Sequence, residues 1–184
     1  PYKDKIVGIG LDSSEQGNPP EKFKRVFERA LEYGFLTVAH AGEEGPAQNI
    51  YDAMDILKVS RIDHGVSCSQ DAALMNKLAT SQLPLTVCPL SNTRLKVFDS
   101  MEQHNIAALL HHGLCVTINS DDPAYFGGYM TDNFNAVAEV LPLTRSELTQ
   151  FTLNAIEASF INDDAKAVMR ERTQAYLTAN QDVE

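Results

Sequence analysis

No apolar run in this sequence approaches the ~20 residues that a bilayer-spanning helix needs, so no transmembrane helix and no membrane partner is expected. No signal-peptide pattern opens it. Positive charge is in short supply: 15 Lys and Arg stand against 25 Asp and Glu, a formal charge of −10. That balance repels polyphosphate, and without a concentrated basic stripe it argues against a nucleic-acid partner. Cysteine is scarce too. Cys68, Cys88 and Cys115 are odd in number and far apart, which suits a reducing, cytoplasmic compartment better than a disulfide scaffold. No G-x-G-x-x-G or P-loop fingerprint follows any candidate strand, which counts against a nucleotide-phosphate site. The P-C-x-x-C and H-x-E motifs of the cytosine-editing zinc deaminases are absent, and that fold is excluded.

What is present is an ordinary globular composition, 184 residues with 43% hydrophobic and 22% charged, long enough to bury about 70% of its unfolded surface. Apolar, β-branched runs at residues 5–11, 35–40, 61–66, 83–88 and 114–120 read as buried strands. Between them lie amphipathic stretches. The first has Asn18 and Pro19 at its start, an apolar face of Phe23, Val26, Phe27, Ala30 and Leu31, and Gly34 as its stop. Others are expected from Pro46, over 71–79 and over 100–112, and the sequence after residue 130 reads as helix alone, over 131–140, 144–156 and 163–178. Strands alternating with helices predict βαβ units and a parallel sheet.

The polar residues gather just after the strands: Asp12-Ser13-Ser14, His40-Ala41-Gly42-Glu43, Asp63-His64-Gly65, Ser91-Asn92 and Asp121-Asp122-Pro123. Five chemically loaded strand ends favour a (β/α)8 barrel over a doubly wound sheet, which binds ligands at only one or two crevices. A complete barrel takes about 250 residues, so three strands are expected to be lacking. With Pro1 in place of an initiating Met, the chain reads as processed or as a piece of something longer.

His40 and Glu43 flank a glycine that permits a tight bend, so an imidazole and a carboxylate can share one pocket. Alone, such a strand-end His is more often a hydrogen-bonded structural residue. Adjacent Asp121 and Asp122 can face different ways, one toward a cation and one toward a ligand hydrogen bond; an ordinary Asp-Pro turn has the same sequence. The conjunction of His40, Glu43, His64, Asp121 and Asp122 at one edge shifts the balance to a metal site. Nitrogen and oxygen donors suit Zn²⁺ in an open catalytic site and leave Fe²⁺ and Mn²⁺ as alternatives. His111 and His112, near a helix C-terminus, read as structural, His104 as a surface residue, and Cys88 as a small core residue.

Taken in order, His40-Ala41-Gly42-Glu43, Arg61-Ile62-Asp63-His64-Gly65, Cys88-Pro89-Leu90-Ser91-Asn92 and Ser120-Asp121-Asp122-Pro123 resemble the adenosine/adenine deaminase family of the amidohydrolase superfamily, over essentially the whole chain. The resemblance implies a (β/α)8 barrel of which residues 1–184 are the C-terminal part of one metal-dependent domain, strands four to eight and the last helices. It implies one zinc per site, with His40 and Asp121 as ligands and Glu43 as proton donor to a purine ring. It also makes His64 the residue that orients and supports the attacking water, Asp122 the acceptor for purine N7, and Ser13 a contact to purine N3.

The stretch Gly10-Leu11-Asp12-Ser13-Ser14-Glu15-Gln16-Gly17-Asn18-Pro19-Pro20 is similar to the adenine-specific branch. The implied reaction is hydrolytic deamination of adenine to hypoxanthine and ammonia in purine salvage. The alternatives are adenosine or another 6-aminopurine as substrate, or a half-barrel that is non-catalytic until its N-terminal segment complements it. Asp63 stands where the nucleoside enzymes have glycine, and its bulk and charge are expected to help reject a ribosyl group. The family's H-x-H ligand pair is absent from the 184 residues. The expected partners are therefore a small purine and the missing N-terminal barrel segment, and unpaired sheet edges open a route to a homo-oligomer.

Overall fold

Each apolar run pairs with the next in sequence. In the computed structural model, which describes residues 2–180, the strands are β1 (Gly8–Leu11), β2 (Leu36–Ala41), β3 (Arg61–His64), β4 (Leu85–Val87) and β5 (Val116–Ile118). Pro1 lies outside the described residues. All neighbours are parallel and the order is β1-β2-β3-β4-β5. That order decides between two architectures, because a doubly wound sheet reverses its strand order at a switch point while a barrel sets each strand beside the last. The sheet is an arc of barrel type. Among the described residues β1 and β5 each have a single neighbour, so both edges are open.

The helices that connect and cover the strands are α1 (Lys24–Glu32), α2 (Ala47–Asp55), α3 (Ala72–Ser81), α4 (Pro89–Arg94), α5 (Ile106–His111), α6 (Pro123–Phe126), α7 (Met130–Val140), α8 (Arg145–Ala158) and α9 (Asp163–Ala179). Their ends carry local signals. The Asp71 carboxylate accepts from the Ala73 and Leu74 amides and caps α3. Thr144 and Glu147 form a reciprocal capping box on α8. Among the described residues no helix is long and apolar enough to cross a membrane.

Four of the strands are shorter than their apolar runs, while β2 keeps its expected six residues, shifted by one. Residues 3–5 form a 3₁₀ turn ahead of β1, and β4 begins after Pro84, which has no amide to give the ladder. The helix expected over 100–112 is split into a 3₁₀ turn, Met101–Gln103, and α5. Pro89 opens a short helix, α4, directly after β4, which the apolar pattern did not announce.

The core lies between sheet and helices, with Ile62, Leu85, Val87, Val116 and Ile118 from the strands against Ile50, Leu74, Leu78 and Phe151 from the helices and Leu57 just past α2, all essentially inaccessible. The α8 helix is bound to β5 twice, by the Phe151 ring in the core and by Asn154 Nδ2 donating to the Val116 carbonyl at 2.8 Å. Phe151→Ala is expected to cost about 3–5 kcal/mol through lost burial and a residual cavity. Urea unfolding of the variant beside the parent chain checks it; a loss below about 1 kcal/mol would mean that α8 is not integral to the core.

Candidate active site

Parallel pairing in chain order sends every strand out at the same edge, and the β2–β3 register sets the level there: His40 stands opposite Asp63, and Ala41 opposite His64. The turn after Ala41 needs Gly42. Its φ is +74°, and a β-carbon there would lie 2.5 Å from both Ile50 Cδ1 and Ser67 Oγ. This bend brings Glu43 back over the sheet edge, where its Oε1 lies 3.0 Å from His64 Nδ1. Ser13, His64 and Asp121 all have left-handed backbone, with φ of 74°, 66° and 56°. Such conformations cost of order 1–3 kcal/mol each for non-glycine residues and persist where the surroundings over-determine them.

An open cavity of about 310 Å³ at this edge is lined by His40, Asp63, His64, Cys88, Asn119 and Asp121, among others. The His40 and His64 rings stack with centroids 4.8 Å apart. His40 Nδ1 lies 3.1 Å from the Leu11 carbonyl oxygen and 3.5 Å from Asp12 Oδ1. Both neighbours are acceptors, so the ring proton belongs on Nδ1 and the Nε2 lone pair is free for a metal. On the far side of His64, its Nε2 is 3.8 Å from Asp121 Oδ2. Two sets of donor atoms come within 4.8 Å of one another, His64 with Cys88 and Asp121, and Asp12 with His40 and Asp63. The stacked histidines are the junction between them.

The donor chemistry, one free imidazole nitrogen and one inward carboxylate, fits part of the coordination sphere of a borderline divalent ion. Cys88 is buried beside it as expected, with Sγ donating to the Thr86 carbonyl; burial pushes its thiol pKa up, and Asp121 and Glu43 add to the rise. A buried neutral thiol is a poor nucleophile.

Burial also pushes Glu43 up, to about 7; His40 and a hydrogen bond from Asn92 pull the other way, and Asp121 adds to the rise. His64 is held below its ordinary value by burial first and by its neighbour His40 second, with Asp121 pulling the other way. The pair therefore comprises a carboxyl that keeps its proton near neutrality and an imidazole that stays uncharged.

Of the other expected residues, Ser13 lines a smaller cavity of about 240 Å³ that adjoins the first through His40. Asp122 precedes α6 on the exposed rim, outside the cavity lining. Asp63 accepts from Thr86 Oγ1 at 2.6 Å and sits 3.9 Å from Arg61 Nε. His111 pairs with Glu147 and His112 with Asn76, both exposed structural contacts as expected. A larger cavity, about 680 Å³, lies between α7, α8 and α9 and is lined by none of the expected site residues.

One expectation fails. His104 is not a surface residue: the break between the 3₁₀ turn and α5 folds it inward, and it is 4% exposed. Its Nε2 lies 3.2 Å from Asn92 Oδ1. Two further residues carry more than their sequence context shows. Asn92 is fully buried, with Nδ2 donating to Glu43 Oε1 at 2.7 Å and lying 3.2 Å from His64 Nδ1. Glu15 is a buried carboxylate accepting from the amides of Gly42, Glu43 and Gly45 at 2.5, 3.0 and 2.5 Å. It clamps the bend that carries Glu43. The only signal for it in the sequence is an acidic residue just past a polar strand end.

The family model described as "Adenosine deaminase" matches residues 1–176. The chain belongs to the adenosine deaminase family. A curated adenine deaminase of Vibrio parahaemolyticus is 62% identical over 176 residues, which are 96% of this chain and 52% of that protein. One from Hahella chejuensis is 60% identical, with 96% and 53% covered. The chain thus spans about half the length of the curated relatives it matches. The crystal structure of an adenine deaminase from Arthrobacter aurescens superposes with a TM-score of 0.92 at 48% identity, over 94% of this chain and 53% of that one. An amidohydrolase from Burkholderia ambifaria, solved with bound Zn, gives a TM-score of 0.90 at 31% identity, over 97% and 50%.

Two outcomes follow from the buried polar groups. Glu15→Gln removes a charged acceptor from three amides and is expected to cost about 1.5–3 kcal/mol; hydrogen exchange should quicken at the Gly42, Glu43 and Gly45 amides, and unchanged exchange there would rule out the clamp. Burial holds His104 down to about 4. Between that value and the ordinary 6.5 the unfolded chain binds the extra proton, so stability is lost as pH falls through this window. The non-titrating His104→Gln variant should show a shallower fall, by up to about 1.4 kcal/mol per pH unit, in denaturant midpoints taken at pH 4.5 and 6.5.

Proposed function

We propose that this chain is the C-terminal part of a zinc-dependent adenine deaminase barrel that hydrolyses adenine to hypoxanthine and ammonia, a cytoplasmic purine-salvage activity. The observation that carries the reading is the buried Glu43 carboxyl, which burial pushes up to about 7, set 3.0 Å from Nδ1 of His64, a residue that lines a cavity together with His40 and Asp121. The names of the relatives at 55–62% identity support the choice of adenine.

His40, through Nε2, and Asp121 would hold the ion. Two ligands are fewer than the four of a usual zinc site. The remaining ones are assigned to the half of the protein that the relatives have and this chain does not span, as are the barrel strands that would cover the two open sheet edges. When bound, zinc supplies the Lewis acidity that makes water a nucleophile at neutral pH.

This chain's own residues do the rest. Glu43 keeps a proton near neutrality and delivers it to the purine ring nitrogen beside C6, so that negative charge does not build up on the ring during attack. His64 is buried and uncharged, so it orients the attacking water without repelling the ion beside it. Ser13 and Asp122, on the two flanks, bind the purine edge at N3 and N7. Of the two protons of the water, one returns to the Glu43 carboxylate and one passes to the amine; the C6–N bond breaks, the amine leaves as ammonia, and the water oxygen remains on C6.

Glu43→Gln in the full-length protein is expected to lower kcat by about 10²–10⁴-fold with metal content unchanged. Ammonia release and elemental analysis test this together, and full turnover by the variant removes Glu43 from the reaction. Adenosine supplied in place of adenine should be a poor substrate; equal turnover of the two would shift the assignment to a broader 6-aminopurine deaminase.

A further inference from the structure

Behind Glu43 lies a chain of hydrogen bonds whose direction is set at its far end. The Ile106 backbone amide donates to His104 Nδ1 at 3.1 Å. A nitrogen that accepts carries a lone pair, so the imidazole is neutral and its one proton is on Nε2. That proton points at Asn92 Oδ1, 3.2 Å away. With its oxygen engaged there, the Asn92 amide presents an N–H to Glu43 Oε1 at 2.7 Å, and His64 Nδ1, 3.0 Å from the same oxygen, is the second donor to it. The opposite amide orientation would set an oxygen against the carboxyl oxygen and the two donors of Asn92 against the donor on His104.

Nothing in this chain is free to turn. Asn92 is fully buried and sits in α4, with its amide donating to the Cys88 carbonyl and its carbonyl accepting from Val97. The Phe98 ring covers the His104 imidazole with centroids 4.3 Å apart.

We propose that His104 is a positioning residue for Glu43, acting through Asn92. The His104 tautomer fixes which way the Asn92 amide faces, and the Asn92 N–H marks Glu43 Oε1 as the accepting oxygen. The carboxyl proton then resides on Oε2, ready to leave toward substrate. The proposal rests on the deaminase reading for its kinetic consequence and on the hydrogen-bond geometry for its structural one.

The test uses full-length, zinc-loaded protein with His104→Leu and His104→Gln. The leucine cannot donate to Asn92, whereas the glutamine amide can. His104→Leu should lower kcat by about 10–100-fold while KM for adenine moves by less than about twofold and zinc content stays equal. His104→Gln should regain most of the loss. In the wild type, imidazole ¹⁵N spectra should show a lone pair on Nδ1 and a hydrogen on Nε2.

An unchanged kcat in folded, zinc-loaded His104→Leu overturns the proposal, as does a glutamine variant that falls as far as the leucine one. A wild-type spectrum with the hydrogen on Nδ1 does the same. If His104→Leu does not fold, Asn92→Asp carries the comparison, because it sets an acceptor against Glu43: loss of kcat with zinc retained supports the chain, and full activity refutes it. If the wild type turns over no 6-aminopurine, it is the deaminase reading that fails. The positioning chain is then judged by the wild-type ¹⁵N spectrum and by whether the Asn92 side-chain amide loses exchange protection in His104→Leu.

Discussion

The parallel register of β2 against β3 is the constraint on which the site depends. With Ala41 opposite His64, the residue before the glycine bend and the last residue of the neighbouring strand stand at one level. The His40 and His64 rings can then stack, and Glu43 can reach His64 across a single turn. A slip of one residue would invert the facing of every side chain on β2 and carry His40 to the other side of the sheet. Because all five strands leave at the same edge, residues separated by scores of positions arrive together without any long loop having to be ordered. The open cavity is a product of topology first and of residue identity second.

Within that frame, desolvation does most of the electrostatic work. The same burial pushes the Glu43 carboxyl up and the His64 imidazole down, so both groups are driven toward their uncharged forms. In a chain with a net charge of −10, burial favours the protonated form of the Glu43 carboxyl. Glu15 is held differently. It is buried, and the amides of Gly42, Glu43 and Gly45 converge on its oxygens. Two glutamates at one bend thus take different parts: Glu15 ties its amides together, and Glu43 is carried by it to the His64 imidazole.

Much of the architecture was legible beforehand. The apolar runs became strands in the expected order, Gly34 and Asp71 marked helix boundaries as their backbone chemistry requires, and the polar strand ends pointed to a barrel edge. The runs at β1, β3, β4 and β5 exceed the strands because an apolar run records burial, whereas a ladder ends where partner carbonyls and amides run out. Helix α4 was missed because its signal, Pro89 at the first turn, is short and its apolar face is too brief to show a period. His104 was misplaced for a related reason: the hydrophobic pattern over 100–112 hides the break that turns its side chain inward.

Residue types and spacing by themselves determined the fold class and the set of strand-end groups, since alternation, capping and turn chemistry are local and each element announces itself within about ten residues. Only the tertiary structure decided which of those groups meet. The Glu43–His64 contact, the Glu15 clamp and the His104–Asn92 chain join residues 12 to 49 positions apart. Their direction and protonation come from burial and from neighbours that no local pattern specifies, because desolvation and hydrogen-bond polarity exist only once the chain has closed around them.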